Sequence, residues 1–253
     1  MHRALLSIIV ACSTIRLAGQ NIVIVSERIL VPVSVQNVKG VNGSLWETKD
    51  LIRNDSSVEV GITPTSPGFR IAPLSTVNGF LSVRFDHSDV PGTIFWLGYP
   101  EGFDKANLHF NLRVQDVSRQ AQTWGTEIPV VRESELSTRK IVLLGIPTDS
   151  RFRQALRIYE TDLRGAGVAR LRMFELDGKT PLVDINVALP SASGSEFEPG
   201  FAQYLWLTRD FPQLLSTTLL RIEIEPVSPG MRFWAFVSVT NNETQHVTVI
   251  TPH

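Results

Sequence analysis

Short segments in which apolar and polar residues alternate recur along the chain after residue 20, separated by turns roughly every ten residues. Helical periodicity is scarce, and only residues 210–215 favour a helical turn. Because a parallel α/β sheet needs long amphipathic crossover helices and none is visible, the pattern predicts an all-β fold of antiparallel sheets. The predicted strands are 22–25, 29–35, 45–53, 58–62, 69–74, 80–85, 93–98, 108–117, 126–131, 141–144, 152–159, 169–176, 183–189, 202–207, 218–224, 231–239 and 247–251.

Two pairs of similar segments indicate an internal repeat. A Pro-Gly-x-x-Phe-Trp pattern occurs at 91–96 and again at 229–234, and residues 43–54 can be laid over 149–160 with Trp46 matching Phe152. A chain of 253 residues is too long for one small domain and suits either two sandwiches or one large one, and the repeat favours two. The polar segment 132–139 is the predicted boundary. We therefore predict two tandem antiparallel β-sandwich domains of the Ig-like kind, at 21–133 and 138–253, after an N-terminal signal segment.

The first nineteen residues are typical of an export leader. A short basic start is followed by the apolar run 4–11, which is shorter than the roughly 20 residues that cross a bilayer, so no transmembrane span is predicted. Cleavage after Ala11 or near Gly19 would give a secreted protein. The segment 9–12 also resembles the lipobox of bacterial lipoproteins, in which Cys12 would carry the lipid anchor. A third interpretation is the first strand of a protein that is not exported.

The residue inventory excludes several kinds of chemistry. Cys12 is the single cysteine, so the folded body has no disulfide and no cysteine metal ligand. The five histidines lack metal-binding spacing, and no Gly-x-Ser-x-Gly or phosphate-binding glycine loop is present. A net charge of −1 provides no field that would attract nucleic acid. The sequence therefore predicts no catalytic residue, no metal site, no cofactor and no nucleic-acid partner.

Aromatic residues are the best candidates for ligand contact. The repeat matches Trp96 with Trp234 and predicts a packing role for both. Trp124, Tyr204 and Trp206 have no such match, and they are the predicted ligand-binding residues.

Several segments resemble modules that are repeated in predicted secreted bacterial proteins without an assigned activity. The resemblance is carried by 40–48 running to Asn54, by 142–153, and by 233–241 followed by 249–252. It implies a β-sandwich and an extracytoplasmic address, but no chemistry. The leading hypothesis is an exported non-catalytic module that binds a glycan or protein at the cell surface, or acts as a spacer. The alternatives are a secreted glycan-acting hydrolase with carboxylates on different strands and a structural subunit of a surface assembly.

Overall fold

The fold is all-β, as the sequence predicted. A computed structural model describes residues 14–17, 20–63, 69–79, 92–119 and 124–253. The predicted strand at 80–85 and Cys12 of the predicted leader lie outside the described residues. Residues 14–17 of that leader segment form a strand that pairs with residues 20–23.

The N-terminal half comprises the strands from residue 14 to residue 132. They are β1 (Thr14–Leu17), β2 (Gln20–Val31), β3 (Val38–Lys39), β4 (Leu45–Asn54), β5 (Val60–Thr63), β6 (Phe69–Ile71), β7 (Ser75–Asn78), β8 (Thr93–Pro100), β9 (Leu108–Asp116), β10 (Thr126–Glu127) and β11 (Val131–Arg132). Sheet I has the order β1-β2-β8-β5-β6, with β11 paired to β2. Sheet II has the order β10-β9-β4-β3, with β7 paired to β4.

The C-terminal half comprises the strands from residue 141 to residue 250. They are β12 (Ile141–Pro147), β13 (Phe152–Glu160), β14 (Gly167–Glu175), β15 (Val183–Leu189), β16 (Gly200–Tyr204), β17 (Leu219–Pro226), β18 (Phe233–Asn241) and β19 (Val247–Ile250). Sheet III has the order β12-β17-β14-β15, and sheet IV has the order β16-β13-β18-β19. All the strand pairs in the four sheets are antiparallel.

Within the described residues, helical structure is limited to short pieces. The α-helix α1 (Leu207–Asp210) is followed by the 3-10 turn Pro212–Ser216, close to the predicted helical turn at 210–215. The other 3-10 turns are Val41–Gly43, Lys105–Asn107, Val117–Arg119 and Glu133–Glu135.

Two apolar cores lie between the sheets. In the C-terminal half, Leu171 and Ile222 of sheet III pack with Leu156, Ile158 and other residues of sheet IV. This core is drawn entirely from the C-terminal half. Alternation explains it, because every second residue of these strands faces the opposite sheet, and the inward residues in the middle of β13 and β17 are apolar.

The N-terminal core joins the two halves. It contains Ile29 and Leu97 of sheet I and Ile52 of sheet II, and it also includes Tyr159, Trp234 and Phe236 of sheet IV. These last residues project from the face of sheet IV that points away from its own core. Strand β18 is therefore buried on both faces. Its sequence indicated this, because the residues on both faces of the strand are mainly apolar.

Gly92 allows the halves to approach closely at this junction. A Cβ at this position would lie 2.8 Å from Cε1 of Tyr159 and 3.1 Å from the carbonyl oxygen of Val31. Its φ of +154° is also rarely adopted by residues with a side chain. Glycine is thus required here both by space and by backbone conformation.

Glu160, at the end of β13, is fully buried and holds the turn that leads to β14. Its carboxylate accepts hydrogen bonds from the backbone N–H groups of Asp162, Leu163 and Gly165, at 3.0, 2.7 and 2.6 Å. We expect Glu160→Gln to lower the free energy of unfolding by about 1–2 kcal/mol, because the charge is lost and an amide N–H is turned toward backbone donors. Urea denaturation measures the change.

Glu198→Gln is the matched control. Glu198 accepts hydrogen bonds from the N–H groups of Ala192 and Ser193 in a similar way, but at an exposed loop. Its substitution is expected to cost less than half as much, because water can replace the lost bonds. Equal losses in the two variants would contradict the importance of burial at Glu160.

Candidate functional site

The candidate site begins on the outward face of sheet IV. Along β13, Gln154, Leu156 and Ile158 point into the C-terminal core, so Arg153, Ala155, Arg157 and Tyr159 share the opposite face. Strand pairing places Gln203 of β16 and Phe236 of β18 on either side of Arg157. In the same way, Ala155 is paired with Ser238, and Arg153 with Thr240.

This outward face is divided into an apolar end and a polar end. At the apolar end, Tyr159, Trp234 and Phe236 pack against each other and are buried in the N-terminal core. The polar end carries Arg153 and Arg157 and is not covered by that core. It lines a cleft of about 730 Å³ between the two halves.

The opposite wall of the cleft belongs to the N-terminal half. Trp46 of β4 and Val114 of β9 extend the inward face of sheet II beyond the buried core. The segment that follows β2 adds Val33, Val35 and Val38. The wall is therefore mainly apolar, with one indole ring.

Gly40 lies directly beside Trp46 in this wall. A Cβ on Gly40 would collide with Nε1 of the Trp46 indole. The close approach fixes the position of the ring, because any larger residue at 40 would have to displace it.

The cleft is positively charged. Its lining includes Arg153, Arg157 and Lys39, and among the residues described by the structure it includes neither aspartate nor glutamate. Its other polar groups are neutral: Thr126, Gln203, Ser238 and Thr240.

Arg157 is the most unusual of these cations. Its Nη1 donates a hydrogen bond to Oγ of Ser238 at 3.0 Å, and its guanidinium carbon lies 5.5 Å from the centre of the Phe236 ring. Within the described part of the chain, no carboxylate forms an ion pair with it. Burial lowers the pKa of the guanidinium, because removal from water disfavours the charged form. The cleft thus contains a desolvated cation with neutral protein partners.

Arg153 is held by amide groups. Its Nη1 donates to Oδ1 of Asn242 at 3.1 Å, and its Nη2 donates to Oε1 of Gln245 at 2.6 Å. These two bonds to neutral amide oxygens hold the side chain in place.

The structure separates the three predicted ligand-binding residues. Trp206, half-buried between β16 and α1, lines the cleft. Tyr204 points into the C-terminal core and packs against Phe211 in a tilted arrangement, with ring centres 5.2 Å apart. Burial together with the charge of Asp210 raises the pKa of its phenol. Trp124, next to β10, is 80% exposed and is not among the residues that line the cleft.

The sequence reasoning did not identify Trp46, Arg153 and Arg157 as site residues. Arginines that alternate with apolar residues are typical of the wet face of an ordinary strand, and the sequence matches Trp46 with Phe152 of the second copy. The available signal was that β13 carries two arginines on one face with no acidic residue between them. The arginines of β14 are instead paired with acids on neighbouring strands, and Arg221 of β17 is paired with Glu223 on its own strand.

The described carboxylates that lie close together are held in ion pairs away from the cleft. Glu133 and Asp162 both bind Arg28 and Arg232, with N–O distances of 2.7–2.9 Å. Glu27 is buried against Tyr99, Arg132 and Lys105. Among the described residues, no group of three histidine, cysteine or acidic side chains is placed to hold a metal ion.

No helix in the described residues is long and apolar enough to span a membrane. Comparison with known proteins finds no matching family model, no similar curated protein and no similar solved structure.

Proposed function

We propose that this protein is an exported, non-catalytic binding module whose ligand occupies the cleft between the two halves. The observation that carries the proposal is the cleft itself, which has an indole on each side and a half-buried arginine in its floor. Its volume of about 730 Å³ falls in the range typical of small-molecule sites. A ligand there would touch both halves.

The proposal includes two tandem β-sandwiches of the Ig-like kind. The separation of the strands supports it, because sheets I and II use residues 14–132 and sheets III and IV use residues 141–250. The strand pairing supports it further, because each half contains two similar antiparallel pairs. The pair β2–β8 corresponds to β12–β17, and the pair β4–β9 corresponds to β13–β18.

This correspondence also bears on the proposed internal repeat. It matches β4 with β13, in agreement with the overlay of Trp46 on Phe152. Trp96, however, lies on β8 and Trp234 on β18, which have different neighbours in their sheets. The two Pro-Gly-x-x-Phe-Trp segments therefore do not occupy matching strands under this scheme.

An extracytoplasmic address is part of the same proposal. It is supported by the leader-like segment 1–19, with Cys12 as an acylation site if the lipobox is used. The resemblance to repeated modules of predicted secreted bacterial proteins agrees with this address.

A binding screen with two tryptophan variants tests the proposed function. The wild-type protein is screened on a glycan microarray and against a soluble fragment set, and the ligands found are tested again with Trp206→Ala and Trp124→Ala. We expect Trp206→Ala to weaken binding by about tenfold or more, because it removes one indole wall of the cleft. Trp124→Ala should bind as the wild type does, because Trp124 lies outside the cleft.

The opposite pattern would contradict the assignment. Ligands that depend on Trp124 and not on Trp206 would place the binding surface at the exposed end of β10. A complete absence of ligands in both screens would contradict a binding role.

A further inference from the structure

We propose that the ligand of the cleft is a small monocarboxylate with an apolar or aromatic body, and that Arg157 binds its carboxylate. This inference rests on the proposed function and specifies the class of ligand. Three features of the cleft support it: its positive charge, the fixed geometry around Arg157 and the apolar character of the remaining walls.

The positive charge of the cleft favours an anionic ligand. Burying a cation without a counter-charge is costly, and proteins usually pair such a group with a carboxylate. Arg28 and Arg172 of this chain, whose side chains are partly buried, follow that rule, since each is paired with an acid. Arg157 binds the neutral hydroxyl of Ser238 instead. An anionic ligand would supply the missing counter-charge.

The geometry favours a carboxylate. Phe236 and Ser238 hold the guanidinium from neighbouring positions of β18 and thereby fix its plane. A planar guanidinium can donate two parallel hydrogen bonds to a carboxylate, and the match is geometric as well as electrostatic. The hydroxyl of Ser238 and the amide of Gln203 lie on the strands beside it and could complete the contacts.

The ligand should carry a single negative charge. Arg153 lies four residues from Arg157 on the same strand, which places their backbones about 13 Å apart. Arg153 is also engaged by Asn242 and Gln245. A compact anionic group therefore meets one guanidinium, whereas Arg153 and the exposed Lys39 contribute to the positive field that attracts it.

The rest of the ligand should be apolar. Trp46 and Trp206 offer indole faces, and Val33, Val35 and Val38 cover the wall between the halves. Aromatic rings bind well to indole by offset stacking.

Matched probes that differ in charge test the proposal. Binding of 4-phenylbutyrate, 4-phenylbutyramide and phenyl phosphate to the full chain is measured by isothermal titration calorimetry. We expect the carboxylate to bind about tenfold or more tightly than the amide, because the amide cannot accept two charge-assisted hydrogen bonds. Phenyl phosphate should bind more weakly than the carboxylate, because one guanidinium cannot neutralise a dianion.

Three variants locate the effect. Arg157→Met should abolish the preference for the carboxylate, whereas Arg157→Lys should retain part of it because the charge remains without the planar fork. Arg170→Met is the control, since Arg170 is paired with Asp184 on the exposed face of sheet III, and it should preserve the preference. Circular dichroism checks that each variant is folded.

The outcomes separate the two proposals. Equal affinity for the carboxylate and the amide, with both lost in Trp206→Ala, would overturn the anion assignment and leave the cleft as the binding site. Tighter binding of phenyl phosphate would overturn the carboxylate class. A carboxylate preference that survives in Arg157→Met would overturn the role of Arg157.

Discussion

Tyr159→Ala is expected to lower the free energy of unfolding by about 3–5 kcal/mol, the largest effect of any single substitution considered for this chain. Tyr159 is completely buried, and it packs on Trp234, Phe236 and Phe201. Its hydroxyl donates a hydrogen bond to the carbonyl of Pro32 in the N-terminal half. The substitution therefore opens a cavity at the point where the two halves share a core.

Urea denaturation, followed by tryptophan fluorescence and by circular dichroism, measures this loss. Tyr159→Phe is the matched control, because it keeps the ring and removes only the hydrogen bond to Pro32. It is expected to cost about 1 kcal/mol. A loss below about 1 kcal/mol in Tyr159→Ala would show that the contact between the halves contributes little to stability.

Arg28→Met is expected to lower the free energy of unfolding by about 2–3 kcal/mol, because it leaves part-buried acidic groups with one cation fewer. Arg28 donates hydrogen bonds to Glu133 and Asp162 and to the carbonyl oxygen of Thr161, at 2.7–3.2 Å. Its guanidinium also lies 5.6 Å from the centre of the Trp96 ring. Arg232 remains beside both carboxylates, which limits the cost.

Arg70→Met provides the comparison. Arg70 pairs with Glu59 on the surface, where both side chains are largely exposed. Exposed ion pairs contribute about 0–1 kcal/mol, so this variant should differ little from the wild type in the same urea denaturation. If both variants lost the same free energy of unfolding, the ion pairs of Arg28 between the halves would stabilise the protein no more than an ordinary surface ion pair does.

Most strands could be predicted because their signal is local. The predicted strand 183–189 has the same bounds as β15, and the prediction 152–159 ends one residue before β13 does. In both cases, turn residues mark the ends, and the alternation of apolar residues sets the buried face. The all-β class follows from the same local patterns, repeated along the chain.

The site could not be predicted in the same way, because it depends on how distant strands come together. Trp46 and Trp206 are far apart in sequence and line one cleft only because sheet IV packs against the N-terminal half. The same packing divides β13, so that Tyr159 is buried and Arg157 lines the cleft, although both residues lie on one face. Alternation identifies that face, but it does not indicate which part of it another sheet covers.

One end of the outward face of sheet IV packs against the N-terminal half, and the other end forms the floor of the cleft. Ligand occupancy and the docking of the halves are therefore thermodynamically linked, since a ligand that touches both walls stabilises only the docked arrangement. If the chain were divided at the 132–139 segment, each fragment would carry only one wall of the cleft. Neither fragment would therefore form the complete binding site.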